Sequence, residues 1–229
     1  RGGVTVGESG GREKTRFAVI SRDERSGEGD RLEDGKGLAN AHVTNVRWGM
    51  KGNLIRVPTC CPQRDERMGW AGDNEECSPT ATFLADTYAF YSKYLHDMYT
   101  EQMDLDGMVP DVVPSAGVHS TACVWGDSSC IIPWNMYQFY GDKKILEDQY
   151  DSMRNWVDYI SRVDGDNHGW RSVFHYGDWL ALDNPSGKTD EVMGGTDAGY
   201  IANLYYAATA GLVATATHGL GTAADRAAH

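Results

Sequence analysis

Apolar residues recur at helical spacing along most of the chain after residue 40. One stripe has intervals of four and three residues and consists of Leu84, Tyr88, Tyr91, Leu95 and Met98. Residues with this spacing lie on one face of an α-helix, so the stripe is typical of an amphipathic helix. It predicts a helix from about Ser78 to Gln102.

The rest of the chain after residue 40 follows the same helical pattern. A second stripe consists of Ile145, Gln149, Met153, Trp156, Val157 and Ile160. Three further helices are predicted at Ala39–Gly49, Ser128–Tyr140 and Thr196–His218, the last of them rich in alanine. Together these patterns predict an all-α domain.

Three long segments between the predicted helices are dense in Gly, Pro, Asp and Trp. They are the first loop (residues 58–77), the second loop (residues 107–127) and the third loop (residues 164–195). Loops longer than about 12 to 15 residues are usually functional when they have no regular structure of their own. We therefore expect the functional site to be built from these three loops.

The N-terminal 40 residues differ in composition from the rest of the chain. They contain 8 Lys or Arg, 8 Asp or Glu and 9 Gly, and Phe17 is their only aromatic residue. Such a segment cannot bury much apolar surface. We predict that residues 1–40 form a poorly structured extension unrelated to the helical domain, and that residues 41–229 form the functional domain.

Charge and cysteine content narrow the choice of partner and compartment. The net charge is −12, which disfavours nucleic acid and anionic membranes and favours a neutral small molecule. No apolar stretch approaches the roughly 18 residues that cross a bilayer, and the first residues do not form a signal peptide. The five cysteines have no C-x-x-C pair, so neither a disulfide framework nor a zinc site is predicted. A reducing, cytoplasmic location is the expectation.

The densest group of chemically active side chains lies in the first loop. Glu66 stands between Asp65 and Asp73, and neighbouring carboxylates raise the pKa of a carboxylic acid. A protonated carboxylic acid is what glycosidic bond cleavage requires, so this group predicts a sugar site whose general acid is Glu66 or one of its neighbours. Trp70 offers a flat apolar face to a sugar ring, and Arg64 offers hydrogen-bond donors to hydroxyls. The alternative is a solvated loop in which these charges only pair with each other.

Two further groups join tryptophan to glycine and aspartate. Trp125-Gly126-Asp127 lies in the second loop and Gly177-Asp178-Trp179 in the third. Each tryptophan taken alone is typical of a core residue. Their recurrence on separate loops favours a carbohydrate pocket, in which aromatic faces stack on the sugar and carboxylates bind its hydroxyls.

Other candidate groups indicate structural roles. His119, His168 and His175 lack the spacing of metal ligands, so surface or core positions are predicted and no metal site is expected. The run Asp164-Gly165-Asp166-Asn167 has no glutamate at the twelfth position of a calcium loop and is interpreted as a turn. The chain also lacks phosphate-binding glycine loops and the serine-hydrolase motif G-x-S-x-G.

The first loop resembles a known signature. Its stretch PTCCPQRDERMGWAGD at residues 58–73 is similar to PTDCPQRDERxGWxGD of bacterial-type α-L-rhamnosidases. The resemblance continues, in the family's order, through residues 106–114, 125–127, 133–134, 140–142 and 177–180. It covers roughly Ala39 to Gly221. The family's aspartate before the signature cysteine is Cys60 in this chain.

The resemblance implies an inverting glycoside hydrolase that removes terminal α-L-rhamnose without a metal or cofactor. Glu66 would be the general acid, with no covalent nucleophile. The residues implied or predicted to contact the sugar are Arg64, Trp70, Asp73, Trp125, Asp127, Asp178 and Trp179. The implied fold is an (α/α)6 barrel of twelve helices, of which this chain is expected to contain about the first half. The family's general base is expected beyond the end of this chain.

Two alternatives to this interpretation stay open. One belongs to another functional class and is a rhamnose-binding remnant without catalysis. The other is a related (α/α)6 hydrolase or lyase that acts on another sugar. An open half-barrel leaves apolar faces uncovered, which predicts association with a second copy or with a completing polypeptide. No nucleic-acid or membrane partner is expected.

Overall fold

The described part of the chain is built from helices. The computed structural model describes residues 37–61, 65–117, 119–167, 169–182, 184–187 and 192–220. Its α-helices are α1 (Gly37–Asn53), α2 (Ala71–Leu84), α3 (Tyr88–Asp104), α4 (Ser128–Tyr140), α5 (Lys144–Asp164) and α6 (Ala198–Leu220). Within these ranges, β-structure is limited to three isolated bridges. The all-α prediction is confirmed, whereas the predicted extension lies almost wholly outside the described residues.

Four helices agree with the sequence pattern. The helices predicted at Ala39–Gly49, Ser128–Tyr140 and Thr196–His218 are α1, α4 and α6, with ends within a few residues of the predicted ones, and the second stripe lies on α5. On α5, every residue of the second stripe is buried, with exposed fractions of at most 7%. None of the helices in the described ranges is long and apolar enough to cross a membrane.

The prediction of a single helix from Ser78 to Gln102 is wrong, because α2 ends at Leu84 and α3 begins at Tyr88, with a turn between them. At this turn the backbone N–H of Thr87 donates to the hydroxyl oxygen of Tyr140 over 2.9 Å. The same hydroxyl donates to Asp86 Oδ1 at 3.0 Å. Tyr140 lies at the end of α4, 53 residues after Thr87. A tertiary contact therefore stabilises the break, and no local periodicity reveals it.

The start of α2 also differs from the prediction. Residues 71–77 were expected in the first loop but form the first two turns of α2. Pro79 lies inside this helix and lacks the N–H that would bond to the carbonyl oxygen of Glu75. The hydroxyl of Ser78 donates to that oxygen instead, at 2.8 Å. Pro79 is thus accommodated well inside the helix, although proline usually marks a helix start.

The core lies around α4 and α5 and extends into the loops. Helix α4 packs against α2, α3, α5 and α6. Trp156 of α5 is fully buried, and its ring meets the ring of Trp170 edge to face at 5.0 Å. The Trp156 indole N–H donates to Asp127 Oδ1 at 2.9 Å. Gly126 lies against the same indole, so close that a Cβ atom there would be 2.1 Å from Trp156 Cη2. This packing fixes the end of the second loop on the core.

Candidate functional site

The first loop brings Glu66 and Trp70 together just before α2. Trp70 is the last extended residue before the helix, with φ −60° and ψ 117°. Its indole N–H donates to Glu66 Oε1, and both side chains are half-buried. Glu66 and Trp70, both predicted to belong to the sugar site, are therefore in direct contact. Arg64 lies outside the described residues.

Backbone hydrogen bonds join the first loop to the second. The N–H of Ala71 donates to the carbonyl oxygen of Asp111 at 2.8 Å, and the N–H of Val113 donates to that of Gly69 at 2.9 Å. Trp70 and Val112 form the bridge between these bonds. A Cβ atom on Gly69 would lie 2.2 Å from the carbonyl oxygen of Val113, so only glycine permits this approach. We call this pairing of residues 69–71 with residues 111–113 the seam.

Tyr176 connects the aromatic residues of the second and third loops. Its ring centroid lies 4.2 Å from the Trp125 ring and 5.5 Å from the Trp179 ring. Its hydroxyl donates to Asp111 Oδ2 at 3.1 Å, and burial raises the pKa of Tyr176 to about 12. Trp179 is 45% exposed at the outer end of this row. The structure thus places Trp125, Tyr176 and Trp179 in one aromatic row, beside the carboxyl group of Asp111.

The aromatic row also reaches the start of α2. A Cβ atom on Gly72 would lie 2.8 Å from Trp125 Cδ2, so the Trp125 ring packs directly on the backbone of α2. Asp73, the next residue, is half-buried in the first turn of the helix. Asp73 Oδ1 accepts a hydrogen bond from the Cys60 thiol, with an Sγ to Oδ1 distance of 3.2 Å. The predicted sugar residues of the first and second loops therefore meet at this end of α2.

His175 and Asp164 hold the third loop in place. His175 Nδ1 accepts the backbone N–H of Cys123 at 3.1 Å, and its Nε2–H donates to the carbonyl oxygen of Trp170 at 2.8 Å. Burial lowers the pKa of His175, which favours the neutral ring that these two bonds require. Asp164, which directly precedes the 3-10 turn at residues 165–167, accepts backbone N–H groups of Gly169, Arg171 and Ser172. His175 is thus a core residue that ties the second loop to the third.

Asp178 and Trp179 lie at the outer part of the third loop. Asp178 Oδ2 accepts a hydrogen bond from the Thr196 hydroxyl at 3.0 Å, and its carbonyl oxygen accepts the N–H of Gly194 at 2.8 Å. Trp179 pairs with Met193 in an isolated bridge. These contacts fix the direction of the loop while leaving Trp179 partly open to solvent.

Asp127 occupies a different place from the other predicted sugar residues. Its carboxylate is fully buried, and burial raises its pKa to about 6. Oδ2 accepts the backbone N–H of Val124 at 2.7 Å, while Oδ1 accepts the Trp156 indole N–H. Both oxygens are therefore engaged inside the protein. This geometry gives Asp127 a structural role, that of holding the second loop on α5.

Asp111 and Tyr176 are the two site residues that received no role from the sequence. Asp111 lies within the 106–114 stretch of the resemblance, and Tyr176 directly precedes Gly177-Asp178-Trp179. Asp111 is 1% exposed, and burial raises its pKa. An isolated carboxylate and an isolated tyrosine carry no signal of a site in a single sequence. Their importance arises from the seam and the aromatic row, which only the fold creates.

The described part of the chain contains no group of three His, Cys, Asp or Glu side chains placed to hold a metal ion. His119 is exposed, and His168 lies outside the described residues.

A buried carboxyl group lies on α2, two residues after Asp73. Glu75 of α2 is 5% exposed, and its Oε2 has no hydrogen-bond partner among the described residues. Burial raises the pKa of Glu75 well above its ordinary value, and the nearby Asp127 and Glu76 carboxyls raise it further. The folded chain therefore keeps a proton on Glu75 at pH values where the unfolded chain has lost it.

We expect Glu75→Gln to stabilise the fold increasingly as the pH rises. In the present chain, the contribution of Glu75 to stability falls as the pH rises above about 4.5, the ordinary pKa of glutamic acid, because the folded state must either keep a proton on Glu75 or bury its charge. Glutamine keeps the shape of the side chain without titrating. The melting temperatures of Glu75→Gln and of the present chain, measured between pH 4 and pH 8, should coincide near pH 4. Towards pH 8 the variant should melt at an increasingly higher temperature than the present chain.

The matched control for this prediction is Glu147→Gln, an exposed position on α5 whose carboxyl is not among the groups that raise the pKa of Glu75. It should leave the pH dependence of the melting temperature unchanged. A difference between Glu75→Gln and the present chain that is the same at every pH would contradict the protonated state assigned to Glu75.

The described fold is all-helical, which is the fold expected of a six-hairpin glycosidase domain. Residues 33–229 match the model of the bacterial alpha-L-rhamnosidase six-hairpin glycosidase domain. The chain belongs to this family, which confirms the resemblance seen in the sequence.

Individual relatives agree with this assignment. The chain is 38% identical over 174 residues to an alpha-L-rhamnosidase of Alteromonas sp. (strain LOR), which covers 76% of the chain and 19% of the relative. It is 36% identical over 186 residues to an alpha-L-rhamnosidase of Streptomyces avermitilis, which covers 80% of the chain and 17% of the relative. The chain thus spans about a fifth of the length of these curated relatives.

Solved structures show the same similarity in three dimensions. The crystal structure of the α-L-rhamnosidase from Aspergillus terreus aligns with a TM-score of 0.75 and 34% identity, over 84% of this chain and 22% of that chain. The structure of the Streptomyces avermitilis enzyme complexed with L-rhamnose aligns with a TM-score of 0.72 and 34% identity, over 83% of this chain and 17% of that chain. Both likenesses support the assignment of the helical fold.

Proposed function

We propose that this chain is the part of an α-L-rhamnosidase that carries the general acid and much of the rhamnose-binding surface. The observation that carries the proposal is the convergence of the three loops. Trp70, which bonds to Glu66, pairs with Val112 in the seam. Asp111, also in the seam, bonds to Tyr176 of the aromatic row. A flat apolar face beside several carboxyl groups suits a sugar ring, which has an apolar face and a rim of hydroxyls.

In this proposal aromatic side chains contact the apolar face of rhamnose, and polar side chains bind its hydroxyl groups. Trp125 and Trp179 bind the apolar face of the sugar, with Tyr176 holding the two rings in register. Asp73 and Asp178 accept hydrogen bonds from hydroxyl groups, and Arg64 donates to them, while the buried Asp111 holds the Tyr176 hydroxyl. Asp127 is left out of the proposed contacts because both of its carboxylate oxygens are already bonded within the protein.

Glu66 is the proposed general acid of an inverting reaction. Its proton passes to the glycosidic oxygen as the bond to the anomeric carbon breaks, and a water molecule attacks that carbon from the opposite face. The Trp70 indole N–H holds Glu66 Oε1 in a fixed position, which orients the second carboxyl oxygen for proton transfer. We propose that the base activating the water comes from another segment of the catalytic domain, since no described residue is assigned that role.

The test of the sugar assignment is calorimetric titration of the chain with L-rhamnose. We expect binding that Trp179→Ala weakens by about tenfold, because truncating an aromatic side chain that contacts a ligand commonly costs 1 kcal/mol or more. Phe139→Ala is a matched control, since Phe139 is 44% exposed, close to the 45% of Trp179, but lies near the far end of α4. It should leave the affinity unchanged.

The same titration separates the proposal from its alternatives. Binding of another monosaccharide in preference to rhamnose would contradict the assigned sugar. Equal losses of affinity in Trp179→Ala and Phe139→Ala would contradict the assigned surface. Binding of rhamnose together with no hydrolysis in a completed catalytic domain would favour a sugar-binding protein without catalysis.

A further inference from the structure

Two adjacent cysteines face each other at the edge of the candidate site. The Sγ atoms of Cys60 and Cys61 lie 3.4 Å apart, and both side chains are half-buried. Neighbouring side chains in an extended chain point in opposite directions. Cys61 has a φ of 52°, in the left-handed region, which interrupts the extended backbone at this point. The local backbone therefore presents the two thiols to each other.

The Cys60 thiol also belongs to the sugar site. It donates to Asp73 Oδ1 at 3.2 Å, and the backbone N–H of Cys60 donates to the carbonyl oxygen of Met68 at 2.9 Å. Cys60 thus connects the thiol pair to a carboxylate that the proposed function assigns to rhamnose binding. The other three cysteines differ in position, since Cys123 and Cys130 are buried and Cys77 is exposed on α2.

We propose that Cys60 and Cys61 form a redox-active dithiol, which hydroperoxides oxidise to a disulfide between the two adjacent residues. The sulfur atoms must approach from 3.4 Å to about 2.0 Å, the length of a disulfide bond. Both atoms belong to neighbouring residues, so the approach needs only a local adjustment of the backbone. The ring that forms contains eight atoms and is strained, which makes the bond easy to reduce again.

The reaction needs one molecule of hydrogen peroxide for each pair. Cys61 reacts first as the thiolate: its sulfur bonds to one peroxide oxygen, the O–O bond breaks, hydroxide leaves, and Cys61 becomes a sulfenic acid. Cys60 Sγ then attacks Cys61 Sγ, so that the S–S bond forms, the S–O bond breaks and a second hydroxide leaves. The two thiol protons convert both hydroxides to water. In sum, two thiols and one peroxide give one disulfide and two water molecules.

The surroundings of Cys60 suit it for the second step. Burial raises the pKa of the Cys60 thiol, and the hydrogen bond to the Asp73 carboxylate raises it further, so Cys60 keeps its proton while Cys61 reacts. When Cys60 attacks, Asp73 Oδ1 is in position to accept that proton and pass it to the leaving hydroxide. Asp73 therefore acts as a positioning residue and proton acceptor in the resolving step.

Oxidation also changes the sugar site, a consequence that rests on the proposed function. A disulfide has no S–H, so Asp73 loses the hydrogen bond that fixes its carboxylate in position, and Cys60 Sγ moves towards Cys61. Loss of one such hydrogen bond in the site is expected to change rhamnose affinity by about fivefold. The oxidised chain should bind rhamnose more weakly, and reduction should restore the affinity.

The experiment treats the purified chain with one equivalent of hydrogen peroxide, alkylates the remaining thiols and determines the mass of the peptide that contains Cys60 and Cys61. We expect this peptide to lose two hydrogen atoms and to escape alkylation until dithiothreitol is added. Cys77 serves as the internal reference and should be alkylated throughout. Alkylation of both Cys60 and Cys61 after peroxide treatment would overturn the proposal, as would sulfinic acid at either residue in the unaltered chain.

Two serine variants test the division of roles. Cys60→Ser removes the resolving thiol, so Cys61 is expected to proceed to sulfinic acid, which dithiothreitol does not reverse. Cys61→Ser leaves only the protonated Cys60 thiol, which is expected to react much more slowly. Rapid oxidation of Cys60 in the second variant would overturn the assigned order.

Calorimetric titration of the oxidised and reduced chain with rhamnose gives the separate functional readout. Equal affinities with the disulfide formed would overturn the link to Asp73. If neither form binds rhamnose, the proposed function fails, while the peptide mass still decides the dithiol chemistry.

Discussion

Replacing Glu66 with glutamine is expected to slow hydrolysis of phenyl α-L-rhamnoside by about 100-fold to 10,000-fold, the usual contribution of a general acid. Glutamine keeps the size of the side chain and accepts the Trp70 indole N–H, but it has no proton to give to the leaving oxygen. The measurement requires a complete catalytic domain. Residues 33–229 can replace the matching segment of the Streptomyces avermitilis relative, with which this chain shares 36% identity.

The leaving group distinguishes proton donation from other roles of Glu66. 2,4-Dinitrophenolate departs without protonation, so Glu66→Gln should slow hydrolysis of its rhamnoside far less than that of the phenyl compound. Glu76→Gln, an exposed position on α2, is the control and should leave both rates unchanged. Equal losses on the two substrates would show that Glu66 binds the sugar without donating the proton.

Gly126→Ala is expected to lower the free energy of unfolding by about 3 kcal/mol, because overpacking a filled core is costly. The new Cβ atom would lie 2.1 Å from Trp156 Cη2. Trp156 is fully buried, and its indole N–H is held by Asp127, so the ring cannot move aside without losing that bond. Urea unfolding followed by far-ultraviolet circular dichroism measures the loss.

The matched control for this substitution is Gly211→Ala in α6. A Cβ atom at Gly211 would meet nothing within 4 Å, so alanine there should stabilise the chain by about 0.5 to 1 kcal/mol through its better helix propensity. Opposite signs in the two variants are the expected outcome. If Gly126→Ala unfolds at the same urea concentration as the present chain, the packing of Trp156 against the second loop is contradicted.

The helices that the sequence predicted well are those whose burial follows from local spacing. The stripe on α5 has one face buried along its whole length, so periodicity alone located it. The boundary between α2 and α3 depends instead on Tyr140, which bonds to both Thr87 and Asp86 from another helix. A local pattern contains no information about such a partner.

The candidate site shows the same division. Trp70, Asp73, Trp125 and Trp179 were found from residue type and motif, and the fold gathers the segments that carry them. Asp127 and Asp178 both follow a glycine and have a tryptophan close by in the sequence. Asp127 is nevertheless fully buried and bonded to Trp156, whereas Asp178 lies at the outer part of its loop. Asp111 and Tyr176 depend on a contact across 65 residues, which nothing in the sequence indicated.

The seam also limits how this protein can be redesigned. Loop exchange between relatives is a common way to change the preference of an enzyme for its leaving group, and the second loop is an obvious segment to exchange. Here Asp111 supplies the acceptor for the first N–H of α2, and Tyr176 in the third loop bonds to the same residue. A second loop taken from a relative would have to make both of these contacts, with α2 and with Tyr176. The three loops are therefore best exchanged together.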